Sequence, residues 1–336
     1  MTQSWTLSPG QGAASLKPSA QPSQALGDYD VRIRVRATSL NARDLMIAQG
    51  LSPLPALDQL IPLSDGSGDV IETGAGVSRV SMGDRVVVAF NPAHQNGDYQ
   101  AWMEPSALGG ATQGLLREET VLNEMALVRI PAAVSYEQAA CLPCASVVAW
   151  NALFESGPFR PGMTVLTTGT GNVSLAAVVL AKSAGARVGV TSSSDHKIEA
   201  AISLGANFGV NYRASEDWGD NVREETDGRG ADIVLENAGP PSVAQSIRSA
   251  APGGRVLQIG WKGLEGPPLN VLEMALRSVT LKPVMVGSRT MLERLVAAVS
   301  VNQLEMPIYD VFPFDAAPSA FAAAKDGPHG KVVITH

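Results

Sequence analysis

The chain contains few of the residues that bind soft metal ions or form disulfides. Only two cysteines and four histidines occur among its 336 residues, and Cys141 and Cys144 lie three positions apart. Two cysteines at this spacing exclude a framework of disulfide bonds. They also leave few ligands for zinc or another soft metal ion.

Charged side chains and long apolar runs are also scarce. Charged residues make up 17% of the chain and the net charge is −7, so we expect no nucleic-acid partner and no anionic membrane partner. The longest apolar stretches, such as residues 173–181, include Ser174 and reach about half the length of a membrane span. The first twelve residues carry no early positive charge and no apolar run. We therefore expect no secretory signal and a cytoplasmic protein.

Apolar residues make up 45% of the chain, which is enough for a sizeable core in about two domains. Residues 31–36 alternate between apolar and basic side chains, as in a strand with one buried face. Short β-like runs bounded by turn residues follow at residues 68–73 and 86–90. The pattern predicts a largely β unit over roughly the first 125 residues.

Strands and helices alternate in the second part of the chain. After Pro131, a helix with a capping pattern is predicted to begin at Ser135. The rhythm that follows predicts an α/β unit built on a doubly wound parallel sheet of the Rossmann type. Its predicted strands are residues 164–168, 187–191, 208–211, 233–236, 255–259 and 281–286, and its helices are residues 173–184, 195–204, 220–226 and 242–250.

A glycine turn joins the first of these strands to the first helix. Gly169 permits a tight turn, Gly171 permits a close backbone approach, and the start of the helix attracts a pyrophosphate. Ser174 stands where a third glycine or alanine usually packs the helix against the sheet. Because a strand precedes the turn and a second strand follows, the sequence predicts dinucleotide binding. The residues concerned are Gly169, Thr170, Gly171, Asn172 and Val173.

The end of the second strand favours NADP over NAD. Enzymes that prefer NAD usually place an acidic residue there for the ribose hydroxyls, whereas this chain has Ser192, Ser193 and then Lys197. Hydroxyl groups and a lysine can hold a 2′-phosphate. Asp195 is the one opposing charge, unless it only caps the next helix.

These features together resemble the zinc-free members of the medium-chain dehydrogenase/reductase superfamily, near the quinone oxidoreductases and related NADP-dependent reductases. The resemblance covers essentially the whole chain and is also carried by residues 39–44, 65–72, 83–86, 142–145, 253–256, 286–289 and 330–334. It implies a GroES-like β domain formed by residues 1–125 and completed by residues 290–336. Residues 126–289 would form the Rossmann domain for NADP.

The resemblance also implies that no zinc is bound. Asn41, Ser64 and Cys144 stand where zinc-dependent relatives have their catalytic ligands, and one soft ligand of three cannot hold the metal. His94 is expected to be a solvated loop residue. The spacing of Cys141 and Cys144 is also that of redox proteins, but the pair follows a helix, so two buried thiols are the favoured interpretation.

Without zinc, hydride adds most readily to a quinone or to a carbon–carbon double bond conjugated to a carbonyl. Asn41 is predicted to hydrogen-bond the substrate oxygen, and Asp44 to orient Asn41 or relay a proton, unless it only braces the β domain. Met46 occurs in the segment where many quinone reductases have a tyrosine. A zinc-free alcohol dehydrogenase or carbonyl reductase, and a non-catalytic NADP-binding protein, remain open alternatives.

The resemblance further implies cofactor contacts and a dimer of a small-molecule enzyme. Tyr212 would lie beside the 2′-phosphate, and Lys331 would reach the pyrophosphate. Relatives form homodimers through the edge strands of their cofactor domains, and Pro283 would interrupt that strand without preventing pairing. The remaining contacts implied by position are Asn237, Ile259, Gly260, Trp261, Val286, Gly287 and Ser288.

Overall fold

The computed structural model describes residues 1–261, 263 and 265–336. The chain divides into two units, Met1–Val147 with Val286–His336, and Val148–Met285. The predicted boundary between residues 125 and 126 lies earlier in the chain than this division. The difference arises because Leu127–Arg129 pairs with Arg85–Val88 in a sheet of the first unit.

The described residues form fifteen strands and ten α-helices. The strands are β1 (Thr2–Thr6), β2 (Lys17–Gln21), β3 (Asp30–Ser39), β4 (Asp65–Thr73), β5 (Arg85–Val88), β6 (Glu119–Asn123), β7 (Leu127–Arg129), β8 (Thr164–Thr168), β9 (Arg187–Ser192), β10 (Phe208–Asn211), β11 (Ala231–Glu236), β12 (Ala250–Gln258), β13 (Thr280–Pro283), β14 (Ile308–Pro313) and β15 (Lys331–Thr335). The helices are α1 (Ala42–Gln49), α2 (Tyr136–Ala140), α3 (Val147–Trp150), α4 (Asn172–Ser183), α5 (Asp195–Leu204), α6 (Trp218–Glu225), α7 (Val243–Ser249), α8 (Val271–Arg277), α9 (Arg289–Val301) and α10 (Ala317–Lys325).

The first unit is built on a mostly antiparallel sheet. Its strand order is β14-β15-β3-β4-β5-β7, and β6 also pairs with β3. The alternation in residues 31–36 is confirmed, because Val31, Ile33 and Val35 are buried in the core. On the other face, Arg36 pairs with Asp69 at 2.7 Å. Strand β15 pairs with β3, so the end of the described chain completes this sheet.

The second unit is a parallel sheet flanked by helices. The order is β10-β9-β8-β11-β12-β13, which is the order typical of Rossmann folds. Every residue of the central strand β8 is buried, as expected when helices cover both faces of a parallel sheet. Strand β13 ends at Pro283, earlier than the predicted residue 286, although the N–H of Val284 still donates to the Gln258 carbonyl of β12 at 2.9 Å.

No helix in the described part of the chain is both long and apolar enough to cross a membrane.

Candidate active site and cofactor site

The glycine turn after β8 leaves room for a ligand. Gly169 has a φ of +80°, a backbone conformation that favours glycine. A Cβ atom on Gly169 or Gly171 would meet no described atom within 4 Å. Gly171 is also the N-cap of α4 and supplies no capping side chain. The turn therefore fits a dinucleotide pyrophosphate held at the start of a helix.

Ser174 links the helix to the sheet. Its hydroxyl donates to the carbonyl of Thr168 at 3.1 Å and accepts from Asn237 Nδ2 at 3.0 Å. The serine thus fills the place of the usual small residue with a buried hydrogen bond. Asn237 Oδ1 is buried without a donor among the described residues, which leaves an acceptor for a bound ligand.

Glu236, at the end of β11, organises the neighbouring loop, and sequence reasoning missed it. The side chain is fully buried, and Oε1 accepts from the N–H groups of Ala238 at 2.8 Å and Gly239 at 3.0 Å. The same oxygen accepts from the hydroxyls of Ser242 at 2.7 Å and Thr168 at 3.2 Å. The available signal was an acidic residue directly after the apolar run of residues 233–235.

Several predicted NADP contacts come together at the ends of β9 and β10. The hydroxyls of Thr170 and Ser192 lie 3.4 Å apart, and the N–H of Tyr212 donates to the Ser192 carbonyl at 3.0 Å. Asp195 is engaged elsewhere, because Oδ1 accepts from Asn211 Nδ2 at 2.8 Å. Ser193 and Lys197 in this segment are half-buried.

The end of β12 approaches the end of β11 closely. The N–H groups of Ile259 and Gly260 both donate to the Glu236 carbonyl, at 2.8 and 2.9 Å. A Cβ on Gly260 would lie 2.0 Å from the Asn237 carbonyl oxygen, so only glycine fits there. Trp261 follows and is half-exposed. Dinucleotides bind at this carboxyl edge of a parallel sheet.

In the first unit, Asn41 and Asp44 form the beginning of α1. The N–H of Asn41 donates to Asp44 Oδ2 at 2.7 Å, an arrangement that satisfies one unpaired N–H at a helix start. Asp44 is almost fully buried, and this burial raises the pKa of its carboxyl to about 6. Asp44 therefore holds the backbone of Asn41 in place.

Lys331 lies beside Asn41. Its ammonium donates to Asn41 Oδ1 at 2.7 Å and to Asp65 Oδ2 at 3.3 Å, and both charged side chains are buried. Asp65 also accepts from the Ser64 hydroxyl at 2.7 Å and the Cys144 N–H at 3.3 Å. The resemblance implies that Lys331 reaches the pyrophosphate, and in the structure its ammonium lies in this cluster. Asp65 was missed as a site residue, because Lys331 and Cys144 are distant from it in sequence.

The residues at the zinc positions do not fit a catalytic zinc ion. The oxygen of Asn41 faces an ammonium, and the Ser64 hydroxyl donates to a carboxylate. Cys144 is the one soft ligand of the three, and burial raises the pKa of its thiol above the ordinary value. Burial likewise raises the pKa of Cys141 to about 12. The described residues contain no group of three or more histidine, cysteine or acidic side chains that could hold a metal ion.

Two further features of the structure differ from the sequence-based expectations: the environment of His94 and the unit that contains residues 286–288. His94 is buried rather than solvated, because its Nε2 lies 2.9 Å from the Gly97 carbonyl and its ring packs edge-on against Tyr99. Residues 286–288 belong to the first unit instead of the cofactor unit. There the Ser288 hydroxyl accepts from the N–H of Met291 at 3.3 Å and caps α9.

Comparison with known proteins agrees with this architecture. Residues 27–132 match the alcohol dehydrogenase GroES-like domain family, and residues 172–300 match the zinc-binding dehydrogenase family. A zinc-type alcohol dehydrogenase-like protein of Schizosaccharomyces pombe is 37% identical over 331 residues, or 96% of each chain. A quinone oxidoreductase-like protein 2 homolog of Nematostella vectensis is 31% identical over 74% of this chain and 63% of its own.

Solved structures show the same two-part fold. A provisionally assigned alcohol dehydrogenase from Sinorhizobium meliloti 1021 superimposes with a TM-score of 0.91 and 37% identity, over 100% of this chain and 99% of its own. A quinone oxidoreductase from Pseudomonas syringae gives a TM-score of 0.82 and 26% identity, over 100% of both chains.

The GroES-like domain and the Rossmann sheet with its glycine turn define an α/β oxidoreductase that binds a nicotinamide dinucleotide. The chain belongs to the medium-chain dehydrogenase/reductase superfamily.

Proposed function

We propose that the protein uses NADPH to reduce quinones, or carbon–carbon double bonds conjugated to a carbonyl, without a metal ion. The observation that carries this proposal is the side chain of Asn41. It is buried, its oxygen faces Lys331, and its Nδ2 has no acceptor among the described residues. A buried donor without a partner is costly, and a substrate oxygen would satisfy it.

The chemistry of conjugated acceptors suits such a donor. Hydride addition to the β-carbon of an enone, or to a quinone, moves negative charge onto oxygen, where a fixed hydrogen-bond donor stabilises it. NADPH, when bound, supplies the hydride. The residues at the zinc positions, Asn41, Ser64 and Cys144, do not suit zinc as metal ligands. We therefore assign the stabilisation of the substrate oxygen to the Asn41 amide.

The preference for NADPH rests on the segment after β9. Ser192, Ser193 and Lys197 would contact the 2′-phosphate, with Tyr212 beside it. Asp195 does not oppose this assignment strongly, because Asn211 donates to its carboxylate at 2.8 Å. The pyrophosphate would lie at the glycine turn. The nicotinamide end is assigned to Asn237, Ile259, Gly260, Trp261, Val286, Gly287 and Ser288.

A second candidate is the reduction of a simple carbonyl or the oxidation of an alcohol. It is favoured by the S. pombe relative, which is named as alcohol dehydrogenase-like. The same amide could donate to a carbonyl oxygen, but it is a weaker electrophile than a metal ion. We propose in addition a small-molecule substrate, a homodimer and a cytoplasmic location.

Replacing Asn41 by alanine tests the assignment. We expect Asn41→Ala to lower kcat with a quinone or enone by about ten- to a thousandfold, a range that reaches the loss of an oxyanion-hole donor. Asn41→Asp should be at least as damaging, because a carboxylate repels the developing charge. The affinity for NADPH should be unchanged in both variants. The exposed residue Asn302 provides the control variant Asn302→Ala.

The alternative role of Asn41 is purely structural. In that case both Asn41 variants would lose thermal stability, while the enzyme that remained folded would turn over at the normal rate. Such a result would contradict the proposal that the Asn41 amide stabilises the substrate oxygen.

A further inference from the structure

Lys331 is a buried lysine that the reaction described above does not use. Its side chain is 4% exposed and that of Asp65 is not exposed at all. Burying two charges is unfavourable unless each is compensated. The Lys331 ammonium has the Asp65 carboxylate at 3.3 Å and the Asn41 amide oxygen at 2.7 Å. The shorter contact is made to the neutral group.

The contact between Lys331 and Asn41 determines which way the amide faces. An ammonium group can only donate hydrogen bonds, so the amide oxygen must lie toward Lys331 and the NH₂ group must point away from it. The backbone N–H of Asn41 is held separately by Asp44 Oδ2 at 2.7 Å. The backbone N–H and the side-chain oxygen of Asn41 are therefore both held by hydrogen bonds. Its Nδ2 is the group left without an acceptor among the described residues.

We infer that Lys331 is a positioning residue, which fixes and polarises the Asn41 amide so that Nδ2 donates to the substrate oxygen. Asp65 holds Lys331 in place. This inference rests on the proposed function of Asn41. Because hydrogen bonds in a chain strengthen one another, the positive charge on the oxygen side of the amide makes its NH₂ group a better donor. The Lys331 ammonium thus acts on the reaction through Asn41.

The role differs from the sequence-based assignment of Lys331 to the cofactor pyrophosphate. A lysine that binds the pyrophosphate would act on the affinity for NADPH. A lysine that orients Asn41 would act on turnover and would leave that affinity unchanged. The two roles are therefore separated by measuring kcat and the Kd for NADPH on the same variants.

The experiment uses a paired variant, because Lys331→Met alone leaves the Asp65 charge buried without a partner and threatens folding. Lys331→Met with Asp65→Asn removes both charges and keeps similar side-chain sizes. We expect its Kd for NADPH to stay within about twofold, and its kcat with an enone to fall about ten- to a hundredfold, less than the loss of a whole oxyanion donor. The exposed residue Lys325 gives the matched control, Lys325→Met.

A double-mutant cycle shows whether Lys331 acts through Asn41. In the Asn41→Ala background, the same pair of substitutions should change kcat by less than about twofold, because the amide it orients is absent. An equal loss in both backgrounds would overturn the inference, as would a large loss of NADPH affinity with normal kcat. If Asn41→Ala itself turns over normally, the proposed function fails. If Asn41→Ala is impaired but the paired variant turns over normally, only the role of Lys331 fails.

Discussion

Asp44 is a buried acid whose ionisation opposes folding. Burial is the largest cause that raises the pKa of its carboxyl from the ordinary value of 3.8 to about 6. The native state therefore binds a proton more tightly than the unfolded chain does. Below pH 3.8 the Asp44 carboxyl has little effect on the free energy of unfolding. It destabilises the fold increasingly as the pH rises from 3.8 to about 6, and the effect stays constant above that pH.

We predict that Asp44→Asn removes this dependence on pH. Asparagine can still accept the N–H of Asn41, but it carries no charge to bury. The difference in free energy of unfolding, variant minus wild type, should increase by about 2 kcal/mol between pH 4 and pH 7. Denaturant titrations across this range measure it, with the exposed Asp58→Asn as the control. A difference that is constant with pH would contradict the raised pKa.

The polar cluster around Asn41 illustrates what sequence can and cannot predict about single residues. Asn41 and Asp44 are three positions apart, so their association at a helix start follows from local pattern. Lys331 lies 290 positions from Asn41, and only the pairing of β15 with β3 brings them together. The position of Lys331 could therefore not be derived from its own neighbours in the sequence.

Among the secondary-structure elements, β8, the glycine turn and α4 were the most predictable. Their signals are local, because a buried apolar strand, two glycines and a helix follow one another directly. Strand β8 and helix α5 have the predicted bounds. Strand β12 begins at Ala250, well before the predicted residue 255, because Ala250 pairs with Ala231 across a register shift. Such irregular pairing leaves no periodic pattern in the sequence.

The loop after β11 depends on Glu236, and we predict a large effect on stability when that side chain is removed. Glu236→Ala leaves the buried N–H groups of Ala238 and Gly239 without an acceptor, so we expect a loss of about 3 kcal/mol or more. Glu236→Gln keeps one acceptor oxygen and should lose less. Because Asn237 belongs to the same loop, Glu236→Ala should also weaken NADPH binding.

Urea unfolding and NADPH titration check this prediction, and the exposed Glu224→Ala serves as the control. If Glu236→Ala were as stable as the control, the carboxylate would not organise the loop.

At the scale of the whole molecule, the second unit presents a sheet edge and an apolar helix surface. Strand β13 is the edge strand, and the preceding helix α8 exposes Val271, Leu272 and Leu276 by 71%, 67% and 78%. Such surfaces are typical of protein interfaces. Pro283 limits sheet pairing only at the end of β13.

We therefore predict a homodimer in solution. Light scattering at micromolar concentration should give twice the 35.0 kDa mass of one chain. Leu276→Glu should shift the equilibrium toward the monomer, because it places a charge on the apolar surface of α8. Ile202→Glu, at an exposed apolar residue of α5, should have no effect on mass. A wild-type mass of one chain would contradict the prediction.

The transfer of deuterium from labelled NADPH to an enone tests the central claim most directly. Enzyme treated with a strong chelator is incubated with NADPH deuterated at the transferred position, and the product is analysed by mass spectrometry and NMR. The account predicts turnover without added metal and deuterium on the β-carbon of a saturated ketone. Deuterium on the hydroxyl-bearing carbon of an allylic alcohol, which was the carbonyl carbon of the enone, would contradict it. Turnover only after zinc is restored would also contradict it.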